Sequence, residues 1–224
     1  MKCILLRISL ILTLGAALVT ADRVHAEQRR LERIRRADEI IAEARDLSIA
    51  GEVDESQGLV RKALSIAPYS PTARRERAMH LIAEARVQDA LKDLQFVANA
   101  RPDDPGALRE LGIALAVAGD KETATTYLRQ AVELDSENGL MHAELAALLL
   151  DQGRTEDAVR HAEEASVFAP RVFEVQHDLG LARWRSGDLQ GALPAFRRAH
   201  ALAPEDPRPL VYATRVRSEL RDSR

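Results

Sequence analysis

From residue 37 to residue 206 the apolar positions follow a helical period, in stretches of about 12 and about 14 residues separated by turn residues. Glycine and proline punctuate these stretches at one spacing, 34 residues or its double. The glycines are Gly51, Gly119, Gly153 and Gly187, and the prolines are Pro68, Pro102, Pro170 and Pro204. Where this spacing would place one more glycine, 34 residues after Gly51, the chain has Ala85. Where it would place one more proline, 34 residues after Pro102, the chain has Ser136. The pattern predicts five helix–turn–helix repeats without an insertion, at 37–70, 71–104, 105–138, 139–172 and 173–206.

Within each repeat, numbered 1 to 34, three positions carry mostly small side chains, as expected where the two helices of a pair approach closely. Position 8 holds Ala44, Ala78, Gly112, Ala146 and Gly180; position 20 holds Ser56, Ala90, Ala124, Ala158 and Ala192; position 27 holds Ala63, Val97, Ala131, Ala165 and Ala199. Larger side chains at positions 11 and 30 are expected to fill the gaps alongside: Leu47, Leu81, Leu115 and Leu149, then Ile66, Leu134, Phe168 and Leu202.

The turn residues have separate expected roles. The glycine after each first helix suits the left-handed conformation that ends a helix, and the later proline stops the second helix. Pro194 is expected in the first turn of a second helix, where its missing N–H costs little.

A 34-residue helix–turn–helix repeat with small residues at these positions resembles the tetratricopeptide repeat family over residues 37–206. The resemblance implies an all-α, right-handed superhelical solenoid of five repeats. It is strong in repeats 3 to 5 and degenerate in repeats 1 and 2, where Glu43, Arg74 and Arg77 replace the family's large apolar residues. Residues 207–224 predict a C-terminal capping helix and tail, whose apolar side would carry Leu210, Ala213, Val216 and Leu220.

Residues 1–26 have the composition of a secretory signal peptide. Lys2 and Arg7 precede an apolar run over residues 8–21, which is shorter than the roughly 20 residues that cross a bilayer as a helix. The sequence predicts cleavage after Ala26, with Ala21 as the alternative, and a periplasmic or secreted mature protein. Residues 27–36 would then form a basic helical extension.

The charge after the apolar run leaves other interpretations open. Six arginines follow it, at positions 23, 29, 30, 33, 35 and 36, and positive charge there resists translocation. An uncleaved membrane anchor, or a buried helix of a cytosolic protein, is therefore the alternative to a cleaved signal.

Composition supports a folded protein and narrows its chemistry. The chain is 46% hydrophobic, too much for a disordered protein, and its one Trp, three Tyr and four Phe leave Ala, Leu and Val to build the core. The 32 basic and 35 acidic residues give a net charge of −3, which gives no reason to expect a nucleic acid partner. The single cysteine, Cys3, excludes a disulfide within these residues and a cysteine-based zinc site.

Motifs for catalysis are absent from the sequence. It contains no nucleophile elbow, phosphate loop or metal-ligand spacing, and its six histidines fall at unrelated repeat positions. The sequence therefore predicts no enzymatic activity, no cofactor and no metal.

In the tetratricopeptide repeat family, positions 2, 5, 9 and 12 of the first helices line the concave groove in which peptides lie. Transferred to this chain, these positions imply a largely apolar peptide-binding groove. Its candidate residues are Arg75, Met79, Ile82, Arg109, Ile113, Leu140, Ala147, Leu150, His177, Leu181 and Trp184. An exposed apolar stripe of this extent indicates a protein or peptide partner. The alternatives are that a tight superhelical twist buries these side chains or that the N-terminal helix covers them.

Three details narrow the predicted ligand. The family's carboxylate clamp uses Asn at position 9, where this chain has none, so a receptor for acidic chaperone tails is not expected. Arg75 and Arg109 are instead expected to hold acidic side chains of an amphipathic or extended peptide by paired N–H donors. Trp184 is expected to face the groove as an anchor; the alternative places it between repeats 4 and 5 or under the capping helix.

These features predict a non-enzymatic, exported scaffold that docks one protein of an envelope assembly. Small exported members of the family resemble assembly factors of pili and of exopolysaccharide secretion. This analogy is based on the fold and on the predicted export. The alternatives are a cytosolic or membrane-anchored adaptor and the regulatory subunit of an enzyme complex. Contact with the membrane is expected only through an uncleaved signal segment, and the sequence does not predict the oligomeric state.

Overall fold

The computed structural model describes the backbone of residues 2–222 and the side chains of residues 22–222. Within this range the chain folds into eleven helices and no strand. They are α1 (Lys2–Ala50), α2 (Val53–Ile66), α3 (Pro71–Ala83), α4 (Val87–Ala100), α5 (Pro105–Val117), α6 (Lys121–Leu134), α7 (Gly139–Asp151), α8 (Thr155–Phe168), α9 (Phe173–Arg185), α10 (Leu189–Leu202) and α11 (Arg208–Asp222). The predicted all-helical repeat fold is confirmed, since each 34-residue repeat contains two helices and α11 follows the last.

The chain divides into two compact units, Met1–Glu84 and Ala85–Arg224. The first unit holds α1 to α3 and the second holds α4 to α11. The division falls in the turn at which Ala85 takes the place of glycine. Ala85 has a φ of 59°, and the glycines at the other four steps, Gly51, Gly119, Gly153 and Gly187, have φ values from 75° to 96°. The predicted left-handed helix ends are confirmed, and the alanine adopts the same conformation at a steric cost that glycine avoids.

Within each compact unit, the small residues at positions 8, 20 and 27 lie in the core of the helix pairs. All of them are buried, in both compact units. In the first unit, Ile41 and Ala44 of α1 pack with Val60 and Ala63 of α2. In the second, a Cβ at Gly180 would lie 2.6 Å from the Phe196 ring, so position 8 has no space for even a methyl group there.

Side-chain caps and prolines fix the helix ends. Ser70, Asp104 and Asn138 cap α3, α5 and α7 by accepting hydrogen bonds from backbone N–H groups of the first turn. The second helices end two residues before Pro68, Pro102, Pro170 and Pro204, as predicted.

Two predictions about the second helices are wrong. At position 30, Leu134, Phe168 and Leu202 stay 48%, 41% and 40% exposed, and only Ile66 is half-buried. At about 100° per residue, position 30 lies far from the centre of the buried face that positions 20, 24 and 27 define. Pro194 is inside α10, in its second turn, and not in the first. Its ring removes a helical hydrogen bond to the Gln190 carbonyl, but Pro194 is exposed, so water can reach that carbonyl.

The apolar face of α11 also differs from the prediction. Pro209, Ala213 and Val216 are buried and Leu220 packs beside them, whereas Leu210 is 48% exposed. Leu210 lies outside because the face that meets α10 begins at Pro209 and continues at intervals of four, three and four residues. The helix still covers the last repeat, as a capping helix should.

The predicted signal segment, residues 1–26, lies mostly outside the described side chains. α1 continues through the predicted cleavage site after Ala26 as one helix. The six arginines after the apolar run are all exposed on it. Within the described part of the chain, no helix has both the length and the hydropathy needed to span a membrane.

Candidate functional site

In the first compact unit, the candidate ligand-binding residues Arg75, Met79 and Ile82 are half-buried on α3. Glu76, next to Arg75 in the sequence, forms an ion pair with Arg45 on α1. The Nε of Arg45 lies 2.7 Å from the Glu76 carboxylate. Arg75 is itself engaged in an interaction and is not a free cation. The polar groups beside the predicted groove residues therefore already serve to join α1 and α3.

A similar ion pair joins two first helices of the second unit. The Nε of Arg109 on α5 donates to a carboxylate oxygen of Glu144 on α7 at 2.6 Å, and its Nη2 donates to the other oxygen. Both side chains are half-buried. Glu144 engages Nε and Nη2 of Arg109, so an acidic group of a ligand would have to compete with it, and the contact of Arg109 with a ligand stays a prediction.

The candidate residues of α5 and α7 differ in exposure. Ile113 is half-buried and Leu150 is buried, whereas Leu140 is 50% exposed and Ala147 is also exposed. Leu140 and Ala147 lie seven residues apart, two turns along one side of α7. Most of α7 is buried, so these two residues form an open strip on an otherwise enclosed helix, with the half-buried Glu144 between them on the same side.

The candidate residues of α9 contact α11. We use the name cap cluster for the residues packed between α9, α10 and α11: Leu181, Trp184, Ala192, Phe196, Tyr212, Ala213, Val216 and Leu220. The Nε1 of Trp184 donates to the carboxylate of Glu219 at 2.8 Å, and the Arg215 guanidinium lies 5.0 Å from the centre of the Trp184 ring. The prediction that Trp184 faces an open groove is therefore wrong, and the alternative under the capping helix is the observed one.

His177 is enclosed by aromatic rings at the edge of the cap cluster. It is only 6% exposed, and its ring centre lies 5.8 Å from that of Phe173, 6.0 Å from Phe196 and 5.6 Å from Tyr212. Its Nδ1 lies 3.3 Å from the carboxylate of Asp178. Among the described residues its Nε2 has no hydrogen-bond partner, so one polar atom of this enclosed site is unsatisfied.

An ion pair fixes the start of α11. Asp206 accepts hydrogen bonds from the backbone N–H of Arg208, at 2.9 Å, and from its guanidinium. The guanidinium holds the pKa of the Asp206 carboxyl below its usual range. The same guanidinium lies 5.1 Å from the centre of the Phe173 ring, so the entry to α11 is tied to α9.

Two histidines of repeat 4 lie together, although the sequence places them at unrelated positions. The Nε2 of His142 donates to the carbonyl of Ser136 at 3.0 Å, so its Nδ1 accepts from the Nδ1 of His161 at 3.2 Å. Burial, and then the neighbouring His142, lower the pKa of His161 to about 4. Within the described part of the chain, no group of three or more potential ligands is placed to hold a metal ion.

Several residues of these sites were not predicted, namely Glu144, His161, Tyr212 and Glu219. One signal was available for Glu144, because position 6 is acidic in four successive repeats, as Glu76, Glu110, Glu144 and Asp178. Acidic residues at position 6 of successive repeats, next to arginines at position 5, indicate ion pairs between neighbouring first helices. Tyr212 and Glu219 lie beyond the last repeat, where the 34-residue register gives no guide.

Comparison with known proteins agrees with this architecture. The structure of PilF from Pseudomonas aeruginosa superposes with a TM-score of 0.74 over 87% of each chain at 18% identity. YrrB, described as a tetratricopeptide repeat protein with an unusual peptide-binding site, gives a TM-score of 0.64 over 76% of this chain and 88% of its own, at 19% identity. At these identities the two likenesses concern the fold alone.

Sequence comparison identifies the family. The uncharacterized protein y4yS of Sinorhizobium fredii (strain NBRC 101917 / NGR234) is 27% identical over 144 residues, 64% of this chain and 71% of that protein. The family model for the tetratricopeptide repeat matches residues 75–139 and 143–207, more than half of the chain. With its helix pairs, left-handed turns and buried small residues at the expected positions, this chain belongs to the tetratricopeptide repeat family.

Proposed function

We propose that this protein is an exported, non-enzymatic scaffold that docks a protein partner in an envelope assembly of the pilus or exopolysaccharide-secretion type. Proteins of the tetratricopeptide repeat family bind protein or peptide partners, so the interaction itself follows from the family. Export of the protein and the assignment of its partner to an envelope assembly go beyond the family and are the content of the proposal.

The open strip on α7 carries the proposal. Leu140 and Ala147 occupy positions 2 and 9, which the family uses for ligands, and both are exposed on a helix whose other residues are largely enclosed. Exposed apolar side chains at ligand-facing positions favour a partner with an apolar surface. Arg109 does not contribute a free charge, because Glu144 neutralises it. The partner is therefore recognised at this strip by apolar contact.

Export is supported by the sequence at the N-terminus. A basic start, an apolar run too short to span a bilayer, and alanine at position 26 are typical of a cleaved signal. The likeness in fold to PilF, and the resemblance to small exported proteins of envelope assembly, support the proposed setting by analogy.

Site-specific crosslinking in the native cell tests the docking surface. A photoreactive amino acid at Ala147 should crosslink one partner, and Leu140→Asp should abolish that product by placing a charge in the apolar contact. The same photoreactive group at Glu164, exposed on α8, is the matched control. Equal products from both positions would show that α7 is not the docking surface.

N-terminal sequencing of the protein from separated cell fractions tests export. A mature chain that begins at Glu27 in the periplasmic fraction supports the proposal. The second candidate is a membrane-anchored adaptor, which the six exposed arginines after the apolar run favour, since such charge resists translocation. Intact Met1 in the membrane fraction would establish that candidate and overturn export.

A further inference from the structure

We propose that a cavity at the junction of repeats 3 and 4, in the second compact unit, binds a phosphate group, either as free phosphate or on a phosphorylated side chain of a partner. We use the name arginine trio for Arg129, Arg154 and Arg160, which line this cavity. The cavity is separate from the open strip on α7, so the inference goes beyond the proposed scaffold function and does not depend on it.

The cavity has the size and the lining of a site for a small ligand. Its volume is about 340 Å³, within the roughly 300–1,000 Å³ of ligand pockets. Val132 of α6 and Leu145 of α7, both buried, give it an apolar part, and the half-buried His161 of α8 also lines it. No member of the arginine trio holds position 2, 5, 9 or 12 of a repeat, so the cavity differs from the groove in which the family holds peptides.

The arginine trio converges on a single carboxylate. Arg154 and Arg129 donate to the same oxygen of Asp157, at 2.7 Å and 3.4 Å, and Arg160 donates to the other oxygen. Among the described residues, these three guanidiniums make no other hydrogen bond or ion pair. Because a guanidinium carries several N–H donors and Asp157 has only two oxygens, Asp157 satisfies the trio only in part.

The arginine trio makes the cavity electrostatically positive. The carboxylates that line it are Asp157 and Glu133, so three guanidiniums face two acids. The same balance acts on the His161 ring. After burial and the neighbouring histidine, Arg160 and then Arg129 lower the pKa of His161, and each of them outweighs Asp157, which raises it. An anion that approaches the cavity is therefore attracted.

The stacking of repeats does not require these cations. The arginine trio holds position 25 of repeat 3 and positions 16 and 22 of repeat 4. At the same positions, the junction before this one has Gln95, Asp120 and Thr126, and the junction after it has Glu163, Asp188 and Pro194. Since those repeats stack without three cations, the trio is a local feature that a ligand can use.

The geometry favours phosphate over a carboxylate ligand. Arginine binds phosphate through pairs of N–H donors and stays charged throughout the physiological pH range. A phosphate group offers a third oxygen and a charge of about −1.5 to −2. The two oxygens of Asp157 leave Arg129 with the longest of the three contacts. A bound phosphate therefore supplies the acceptor and the charge that Asp157 lacks.

Titration of the full chain with inorganic phosphate tests the proposal. Ionic strength is held constant with chloride, and the NMR signal of the His161 ring is followed. Phosphate should shift this signal saturably and move the titration of His161 to higher pH, because a bound anion favours the charged ring. Arg129→Gln should weaken binding about tenfold. Arg198→Gln removes the same charge from an exposed position on α10 and, as the matched control, should bind like the unaltered chain.

Asp157→Asn separates a ligand site from a purely structural ion-pair network. This variant should bind phosphate about tenfold more tightly, because the carboxylate that competes for the arginine trio is gone. A purely structural network predicts lower stability and no gain in affinity. If circular dichroism shows Asp157→Asn to be unfolded, Glu133→Gln replaces it. That variant removes an exposed carboxylate of the cavity and should tighten binding about threefold.

A second probe distinguishes the two sources of phosphate. It is a short peptide with a central phosphoserine, titrated under the same conditions. Tighter binding of this peptide than of inorganic phosphate would identify a phosphorylated side chain of a partner as the ligand. Tighter binding of inorganic phosphate would identify the free ion.

Three results would overturn the proposal. Equal phosphate affinity in Arg129→Gln and Arg198→Gln would show that the arginine trio does not form the site. Acetate binding as tightly as phosphate would show that the cavity does not select a phosphate group. Unchanged affinity in Asp157→Asn, or in Glu133→Gln where it is the replacement, would leave the trio a structural network. None of these results depends on crosslinking at Ala147, so the scaffold proposal and this one fail separately.

Discussion

The guanidinium of Arg109 donates to both carboxylate oxygens of Glu144, which stands 35 residues later on the next first helix. Position 5 of one repeat is thereby joined to position 6 of the next. The pair is half-buried between the helices, where solvent screens it less than on the surface. An arginine that the family pattern places on the ligand side thus stabilises the stacking of repeats.

A double-mutant cycle on this pair should give a coupling energy of about 1 kcal/mol, because the geometry is bidentate and partly shielded. The cycle compares Arg109→Ala, Glu144→Ala and the double variant by urea denaturation. The control is Arg35 with Glu39, an exposed pair on α1 at 3.7 Å. Its coupling should be about 0.3–0.5 kcal/mol. Equal coupling in the two pairs would contradict a stacking role for Arg109.

The turn at Ala85 offers a stabilising substitution. Ala85→Gly should raise the free energy of unfolding by about 0.5–1 kcal/mol, because alanine pays a steric cost at φ 59° that exceeds the added flexibility of glycine when unfolded. Thermal denaturation measures the effect. Gly119→Ala is the reciprocal control, since its φ is 96° and a Cβ there meets no atom within 4 Å. That variant should lose about 1 kcal/mol through backbone strain alone. A loss of stability in Ala85→Gly would contradict the assigned cause.

The fold was predictable because its determinants repeat. Small residues at positions 8, 20 and 27, together with turn residues every 34 residues, specify the same helix–turn–helix structure in each of the five repeats. Failures occurred where only one residue carried the information. Leu210 and Pro209 both fit an amphipathic helix, and contact with α10 selects the face that includes Pro209. Position 30 is a different case: it is apolar in all five repeats and large in four, and only the angle of the buried face shows that it lies away from the core.

The candidate site was less predictable, because a position in the repeat specifies a direction and not what lies opposite. Trp184 and Arg109 hold ligand-facing positions, yet α11 covers one and Glu144 pairs with the other. The approach of His142 to His161 depends on the packing of α7 against α8, which brings residues at positions 4 and 23 together. Neighbouring elements decide such contacts, and a single repeat does not contain them.

The tight approach of the helix pairs should make position 20 intolerant of volume. Ala158 is fully buried on α8, so Ala158→Leu should cost roughly 1–3 kcal/mol by overpacking. The matched control is Glu164→Ala, exposed on the same helix, which should change stability by less than about 0.5 kcal/mol. Glu163 is unsuitable, because its carboxylate lies 2.8 Å from Arg183 on α9. Equal urea midpoints for Ala158→Leu and Glu164→Ala would contradict the assigned register.

The histidine pair of repeat 4 predicts a specific loss of stability in mild acid. The pKa of His161 is lowered to about 4 in the folded chain, chiefly by burial, whereas an unfolded histidine has a pKa of about 6.5. Because the folded pKa is the lower one, protons bind the unfolded chain preferentially. The stability that the neutral His161 ring contributes to the folded chain is therefore fully present above about pH 6.5 and is lost as the pH falls toward about 4.

Urea denaturation at about pH 7.5 and about pH 5 avoids most carboxylate titration but covers that of all six histidines, so the difference between the unaltered chain and a His161 variant isolates this ring. Between these two pH values the free energy of unfolding of the unaltered chain should fall by about 1–2 kcal/mol more than that of His161→Gln. This range is reduced to allow for the partial exposure of the ring. Glutamine suits the comparison because its amide can still donate to the Nδ1 of His142. His25→Gln is the matched control, because His25 is exposed on α1 and should leave the loss unchanged. If His161→Gln loses as much stability as the unaltered chain, the acid sensitivity arises elsewhere and the ring of His161 is not held neutral by its surroundings.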